Sequence, residues 1–491
     1  MKNTIKLIMV VVFVTLFGCD DYLEVLPPGQ ENTENFFNSA EDYENALIGV
    51  YDLLSTTYLN QILGEIASDN SLCGGENPTD VLDWQQIDDM THNPDNGALR
   101  NIFQWMYAGI SRANYIIEFK DKTDFDRKNQ VLAETKFLRS YYYFELVKFF
   151  GGVPMYLDKR ISIEEAQSIN KSTKEEIYTQ LERDLFEVAN ILPWQQSQPG
   201  RATRGAALAL LGKVYLYQEK YSDAAQTFDL VINSGQYSLV TDFAMIFSNQ
   251  NENNSESVFE IQYFGQEGGG FGCFQCVEGN IAVGFMGPRF RSGNYAPYAD
   301  GFSFNIPSLA IVNAYQAGDT RQAATFFNIN DFVATRPDVT FTVGHDHNGY
   351  FNFKYIPFAE GNAPDPHLTH SNNYRAIRFA DVLLMAAEAH VQGGSAGSAQ
   401  IYLDRVRDRA FGNTTNRITA TLANILQERR LELAGEGHRF FDQVRTGETA
   451  TIPGFTTDKN ELFPIPRIEI ELAGNNWCQN KGYSSSTCSE Q

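Results

Sequence analysis

The chain has 491 residues, with 61 acidic against 38 basic side chains and a formal net charge of −23 at pH 7. A field of that sign repels nucleic acid, anionic lipid and polyanionic glycans unless a basic patch opposes it, and no run of Lys or Arg supplies one, so a neutral ligand suits the chain better. Hydrophobic residues at 43% are ample for a core, and past the leader no segment is apolar for long enough to cross a membrane.

The chain opens on a leader. Lys2 and Lys6 precede an apolar run from Leu7 to Phe17, shorter than the ~20 residues a bilayer span needs, and Gly18-Cys19 closes a small-residue cleavage site. With Leu16 three residues before the cysteine, the stretch reads as a bacterial lipobox. It predicts a signal peptide over 1–18, cleavage before Cys19, and acyl chains on Cys19 that hold the protein at a membrane surface. Length alone would suggest about three domains. No Pro/Ser linker or charge run divides the chain, and the expectation is one domain over 19–491.

Helical periodicity dominates from about 38 to 235. Ser39-x-x-Asp42 and Ser172-x-x-Glu175 read as capping boxes, in which side chains satisfy the orphan N–H groups of a helix start. Trp84 sits in the polar stretch Asp80 to Gln86, where a core indole would lack apolar neighbours at helical spacing, so it is read as an exposed stacking residue. Trp105 lies among Phe103, Met106, Tyr107 and Ile110 in a helical run and reads as core; Trp194, at a helix–loop junction, offers little to a site. Leu208-x-x-Leu211-Gly212-x-x-Tyr215 with Ala224-x-x-x-Phe228 keeps the spacing of a tetratricopeptide helix pair. A looser copy follows at Ala386, Ala387, Ala399 and Leu403. Such pairs need neighbours to cover their open faces, and segments 131–150 and 175–191 are expected to complete the stack.

Between 245 and 372 the texture changes to Gly, Asn, Phe and Tyr, with short apolar alternations such as Val258 to Ile261, and reads as a long loop-rich insertion with isolated strands. With Cys19 lipidated, Cys73, Cys273, Cys276, Cys478 and Cys488 remain. Cys273 with Cys276 could stiffen a Gly-rich loop, Cys478 with Cys488 could close a small loop, and Cys73 has no obvious local partner. A zinc site is disfavoured, because no second Cys pair or closely spaced His pair accompanies them. His345-Asp346-His347 with His367 and His370 could ligate a metal, although loop histidines are more often solvated. No cofactor is called for; calcium stays open in the Asn/Asp-rich loops, where nothing matches EF-hand spacing. The Gly268 to Gly272 run lacks the strand and Lys-Ser/Thr of a phosphate cradle.

Helical periodicity returns over about 374–446, where Glu428 and Glu432 share a helix face. Two carboxylates so placed could do acid/base work, but Arg429, Arg430, Arg439 and Arg445 are close in sequence and predict structural ion pairs instead.

These stretches add up to a pattern. Cys19-Asp20-Asp21-Tyr22-Leu23 with Pro27-Pro28, Phe137 to Phe144 running into Gly151-Gly152-Val153-Pro154, Gly200-Arg201-Ala202-Thr203, Arg378 to Ala389, Glu428 to Leu433 with Gly437 to Asp442, and Leu462 to Pro466 with Gln479-Asn480-x-Gly482-Tyr483 occur in order. Over nearly its full mature length the chain resembles the SusD/RagB family of outer-membrane nutrient-binding lipoproteins. The resemblance implies a mostly α fold: a tetratricopeptide-like helix-pair scaffold (38–235 and 374–446) with a ligand-binding insertion (245–372). It also implies a lipid-anchored, non-enzymatic protein on the outer face of the outer membrane, capturing oligosaccharides for a SusC-like TonB-dependent transporter. The tail around Asn475 to Cys478 and the Cys273 loop depart from the family's usual pattern, and the loop leaves the ligand class open.

Sugar capture asks for flat apolar rings beside hydrogen-bonding groups. The candidates are Trp84, then Phe271, Phe274, Tyr295 and Tyr298 in the insertion, with a neutral glucan as the expected ligand. The alternative is a peptide- or glycopeptide-capturing lipoprotein of the same fold with an enclosed cavity, which burial of Trp84 would favour.

Overall fold

The structure is a computed structural model that describes residues 36–267, 270–359, 361 and 363–484; the leader, Cys19 and Cys488 lie outside them. The principal helices are α1 (Ala40–Asp52), α2 (Tyr58–Ile66), α3 (Leu82–Asp88), α4 (Gly97–Glu118), α5 (Lys128–Phe150), α6 (Lys174–Ile191), α7 (Arg204–Leu216), α8 (Tyr221–Asn233), α9 (Ile281–Met286), α10 (Phe379–Gln392), α11 (Ala396–Phe411), α12 (Leu422–Glu432) and α13 (Arg439–Thr446). Short strands are β1 (Ser71–Gly74), β2 (Ser257–Ile261), β3 (Phe290–Ser292), β4 (Phe304–Pro307), β5 (Phe326–Asn328), β6 (Thr340–Phe341), β7 (Tyr350–Asn352) and β8 (Tyr374–Arg378).

Helices α4 through α8, then α10 and α11, pack each on the next, so the expected partners α5 and α6 lie side by side in the stack. Local chemistry starts these helices. Ser39 and Asp42 form the expected capping box on α1. On α6 the box is Thr173 with Glu176, one residue later than the sequence suggested, because Ser172 still donates its N–H to Val153 in the preceding extended segment. Close approach decides the α7–α8 pair: a Cβ on Gly212 would stand 2.5 Å from the Phe228 ring, so only glycine lets that ring seat. Through the middle runs α5, buried on nearly every side from Phe137 onward, with the Tyr142 hydroxyl donating to the Val50 carbonyl at 2.6 Å.

The described chain begins with Phe36 and Phe37 set against the end of α4. The Phe37 ring lies 4.8 Å from Tyr115 and 5.4 Å from Phe119, and Thr123 donates to its carbonyl.

The insertion carries the isolated strands expected of it, in two-stranded antiparallel pairs: β3 with β6 and β5 with β7 lie within it, β4 pairs with β1 of the N-terminal scaffold, and β2 pairs with β8 at its junction with the C-terminal scaffold. Buried charge joins it to the helices. Arg321 and Lys354 of the insertion reach Glu432 (2.9 Å) and Glu436 (2.7 Å) of the scaffold, while Arg378 at the end of β8 binds Glu256, Glu432 and Glu436. Burial alone would raise the Glu432 carboxyl, but Arg409, Arg378 and Arg321 outweigh it and hold Glu432 well below the usual carboxylate range. Glu428 is bound by Arg321 and Arg407, each at 2.7 Å. These are structural ion pairs, but not with the arginines expected from sequence: Arg429 pairs with Asp381 and Asp442, Arg430 and Arg439 with Asp69, and Arg445 with Glu388 and Asp442.

Candidate functional site

Where the β1–α3 loop, the start of α4, α9 and the loop before β4 converge, they enclose a cavity of about 440 Å³. Its floor is aromatic. Trp84 packs against Phe285 (4.9 Å between centroids) and Phe304 (5.1 Å), and Phe285 lies 5.3 Å from Phe302. Towards the mouth, Phe271 meets Phe302 at 5.8 Å and Phe274 at 6.0 Å, and its ring is 55% exposed. The Cys273–Cys276 disulfide, one of the pairings the sequence left open, clasps the loop that carries both. Cys478 is also disulfide-bonded, with the expected partner Cys488 outside the described residues, and Cys73 is a free, buried thiol.

The polar wall is built with equal economy. Arg289 lies over Phe302, donates from Nε to Ser303 Oγ at 2.8 Å and pairs through Nη2 with Asp80 Oδ2 at 3.0 Å. Asp80 Oδ2 also accepts from the Glu76 N–H. Val81, next on the rim, is held in the left-handed region (φ 47°), where a β-branched residue is strained; the α3 start imposes this, with Val81 O accepting from Trp84 N at 2.8 Å. Glu76, Asp83 and Asn101 complete the polar lining. With Asp80 committed to Arg289, the remaining carboxylates leave the wall acidic.

Three of the candidate residues, Trp84, Phe271 and Phe274, thus come together. Trp84 corrects its expectation in one respect: it is 5% exposed and sits on a helix rather than in an open loop. Helix α3 turns Leu82 outward and Trp84, Gln85 and Ile87 inward, with Asp83 and Gln86 half-buried between them, and so short a helix shows too little periodicity to betray its buried face. Tyr295 and Tyr298 do not reach this cavity. Tyr295 stacks on Phe290 at 4.6 Å, and Tyr298 packs against Phe327 (5.1 Å) and Phe332 (5.6 Å), in a separate hydrophobic cluster of the insertion. Both are half-buried at the edge of that cluster, Tyr295 on a ring near in sequence and Tyr298 on remote ones. Trp105, read as core, is buried.

Sequence reasoning passed over Phe302 and Phe304. The alternation Gly301-Phe302-Ser303-Phe304 leading into β4 was the available signal, since alternate residues of a strand share a face. Arg289 gave no signal, because its partner Asp80 is remote in sequence.

The histidines do not gather. His345 pairs with Asp346 at 3.3 Å, His347 packs on Phe341 and Phe351, and His367 lies against Phe302. Among the described residues, no group of three His, Cys, Asp or Glu side chains is arranged to hold a metal ion.

Comparison with known proteins places this architecture. A model described as the SusD family matches residues 249–460, and one described as starch-binding and associating with the outer membrane matches residues 21–216. The structure of a laminarin-binding SusD-like protein is 33% identical and superposes with a TM-score of 0.81 over 90% of this chain and 99% of that one. Surface glycan-binding protein A from Bacteroides thetaiotaomicron, solved in complex with laminarihexaose, is 28% identical with a TM-score of 0.82 over 90% and 99% of the two chains. SusD-like protein P2 of Formosa agariphila is 28% identical over 97% of this chain and 99% of its own length. The helix stack, the strand-bearing insertion and this full-length likeness lead to one conclusion: the chain belongs to the SusD family of glycan-binding proteins.

Proposed function

We propose that the protein captures neutral oligosaccharides at the cell surface, as one lipid-anchored unit from Cys19 onward, and hands them to a SusC-like transporter without cleaving them. The observation that carries this reading is the aromatic cavity whose outermost ring, Phe271, stands exposed on a clasped loop beside an acidic wall. C–H faces of a pyranose stack on such rings, while Asp, Asn and Arg take the hydroxyls. Free carboxylates on the wall repel uronates and sulfated chains and tolerate neutral ones. The laminarihexaose held by a 28% identical relative makes a β-glucan the first ligand to test.

The test is retention in gels cast with laminarin, starch or alginate, followed by calorimetry with laminarihexaose and maltohexaose. A neutral glucan is expected to retard the protein and alginate is not; retention by alginate alone would overturn the reading, as would reducing sugar released by the purified protein. Burial of Trp84 favours the second reading, capture of a peptide in an enclosed cavity. The open ring of Phe271 at the mouth argues for sugar, and a peptide library that outcompetes laminarihexaose would reverse the order.

A further inference from the structure

On another part of the molecule, sharing no lining residue with the aromatic cavity, a cleft of about 360 Å³ lies between the α6–α7 connection, the turn after α8 and the approach to β2. We propose that this cleft is a second binding site for neutral carbohydrate, with Trp194 as its stacking residue.

Its chemistry is that of a polyhydroxyl binder. Gln195, Gln198 and Gln236 line it with Asn253 and Asn254. Each amide is both donor and acceptor, as each sugar hydroxyl is, so the two match without either being ionised. The ionisable groups in the lining are already spent. Arg201 is paired with Glu44 at 3.0 Å and Glu134 at 3.3 Å. Glu260 is buried and accepts from the Asn253 N–H and the Asn373 amide, each at 3.0 Å, and from Ser257. A charged ligand would find no free counter-charge there, and a neutral one loses nothing.

The site is also pre-arranged. Trp194, half-buried, is backed by the Arg204 guanidinium 5.3 Å from its ring centroid, which holds the indole in place. Gln195 donates to Gln236 at 3.0 Å, tying the two sides of the cleft together, and Asn253 and Gln262 exchange a reciprocal pair of amide bonds at 2.9 and 3.0 Å. Side chains already fixed lose little freedom when a ligand arrives. Two separated sites on one chain would let a long glucan engage both, raising polymer retention above what a short oligosaccharide shows.

Full-length mature protein, its Trp194→Ala variant and its Gln195→Ala/Gln236→Ala variant are compared with Phe271→Ala in laminarin gels and by calorimetry with laminarihexaose and maltohexaose. The proposal expects both cleft variants to lose about tenfold or more in polymer retention at unchanged melting temperature. It also expects one equivalent of hexasaccharide to disappear while the equivalent sensitive to Phe271→Ala survives. Cleft variants that bind polymer and hexasaccharide like the parent overturn it, as does a parent protein retained by neither glucan. Loss confined to Phe271→Ala would sink this cleft and leave the aromatic cavity standing; loss confined to the cleft variants would do the reverse. The amide double variant keeps the test decisive should Trp194→Ala unfold.

Discussion

Trp84 and Phe285 meet with ring centroids 4.9 Å apart, so the indole that looked free in sequence is part of the cavity floor. Replacing a buried indole by alanine removes its contacts and leaves a void, at about 3–5 kcal/mol. Trp84→Ala is therefore expected to lower the melting temperature by several degrees and to weaken glycan binding together. Urea unfolding checks the first effect. An unchanged midpoint would show that the indole does not brace Phe285.

Phe271 separates binding from stability. More than half exposed, its ring contributes little to the fold, and Phe271→Ala should shift stability by no more than about 0.5 kcal/mol. Loss of a stacking face should lower affinity for a neutral hexasaccharide about tenfold, roughly 1.4 kcal/mol. Calorimetry beside a thermal melt reads both numbers, and equal affinity in parent and variant would remove Phe271 from the site.

The clasp on this ring's loop can be opened without touching a ligand contact. Cys273→Ser/Cys276→Ser should leave the fold intact while the loop must be ordered on each binding event, lowering affinity about three- to tenfold. The loss should appear as a less favourable binding entropy. A variant that binds as tightly as the parent would show the loop to be rigid without its clasp.

Much of this architecture was legible. Gly212 with Phe228 announced the α7–α8 pair because close helix approach needs a small residue at a fixed offset, and Ser39 with Asp42 announced the start of α1, because capping is local chemistry. Cys273 and Cys276 were near enough in sequence to be read as a candidate bond. Trp84 was misread for the opposite reason: its partners Phe285 and Phe304 are some two hundred residues away, and no local pattern encodes them. Tyr295 and Tyr298, expected beside Trp84, lie instead half-buried against a separate cluster, since the same aromatic composition serves an exposed platform and the edge of a small core.

Charge in the scaffold gives a prediction about stability alone. Glu432, fully buried, is bound by Arg321, Arg378 and Arg409, and Glu432→Ala would leave these cations short of a partner. Removing one member of a buried network costs about 3–5 kcal/mol. The variant should be destabilised by that amount in urea or should accumulate poorly, and the parent should release no sugar from polymer. Parent-like stability would mean that the remaining carboxylates, Glu256 and Glu436 for Arg378 and Arg409, and Glu428 and Asp319 for Arg321, satisfy the arginines by themselves.

Asp88 supplies a pH dependence of the opposite sign from most carboxylates. Burial pushes its carboxyl up to about 7, opposed by the Cys73 N–H that it accepts and assisted by Asp89 and Asp346. The folded chain holds this proton more tightly than the unfolded one. Its contribution is therefore complete below the unfolded value of about 3.9 and is lost as pH rises through about 7. Asp88→Asn, uncharged throughout and still able to accept from Cys73, should gain melting temperature relative to the parent between pH 5 and pH 8. A difference that stays constant over that range would place the ordinary ionisation of Asp88 in the folded state.

The seat of Phe37 between Tyr115 and Phe119 has a mechanical consequence. Tension arriving along the chain ahead of Phe36 is delivered to the end of the long helix α4 and, through the Thr123 bond to the Phe37 carbonyl, to the turn that follows it. Load entering there would thus meet packed helices first, before any strand or loop of the insertion.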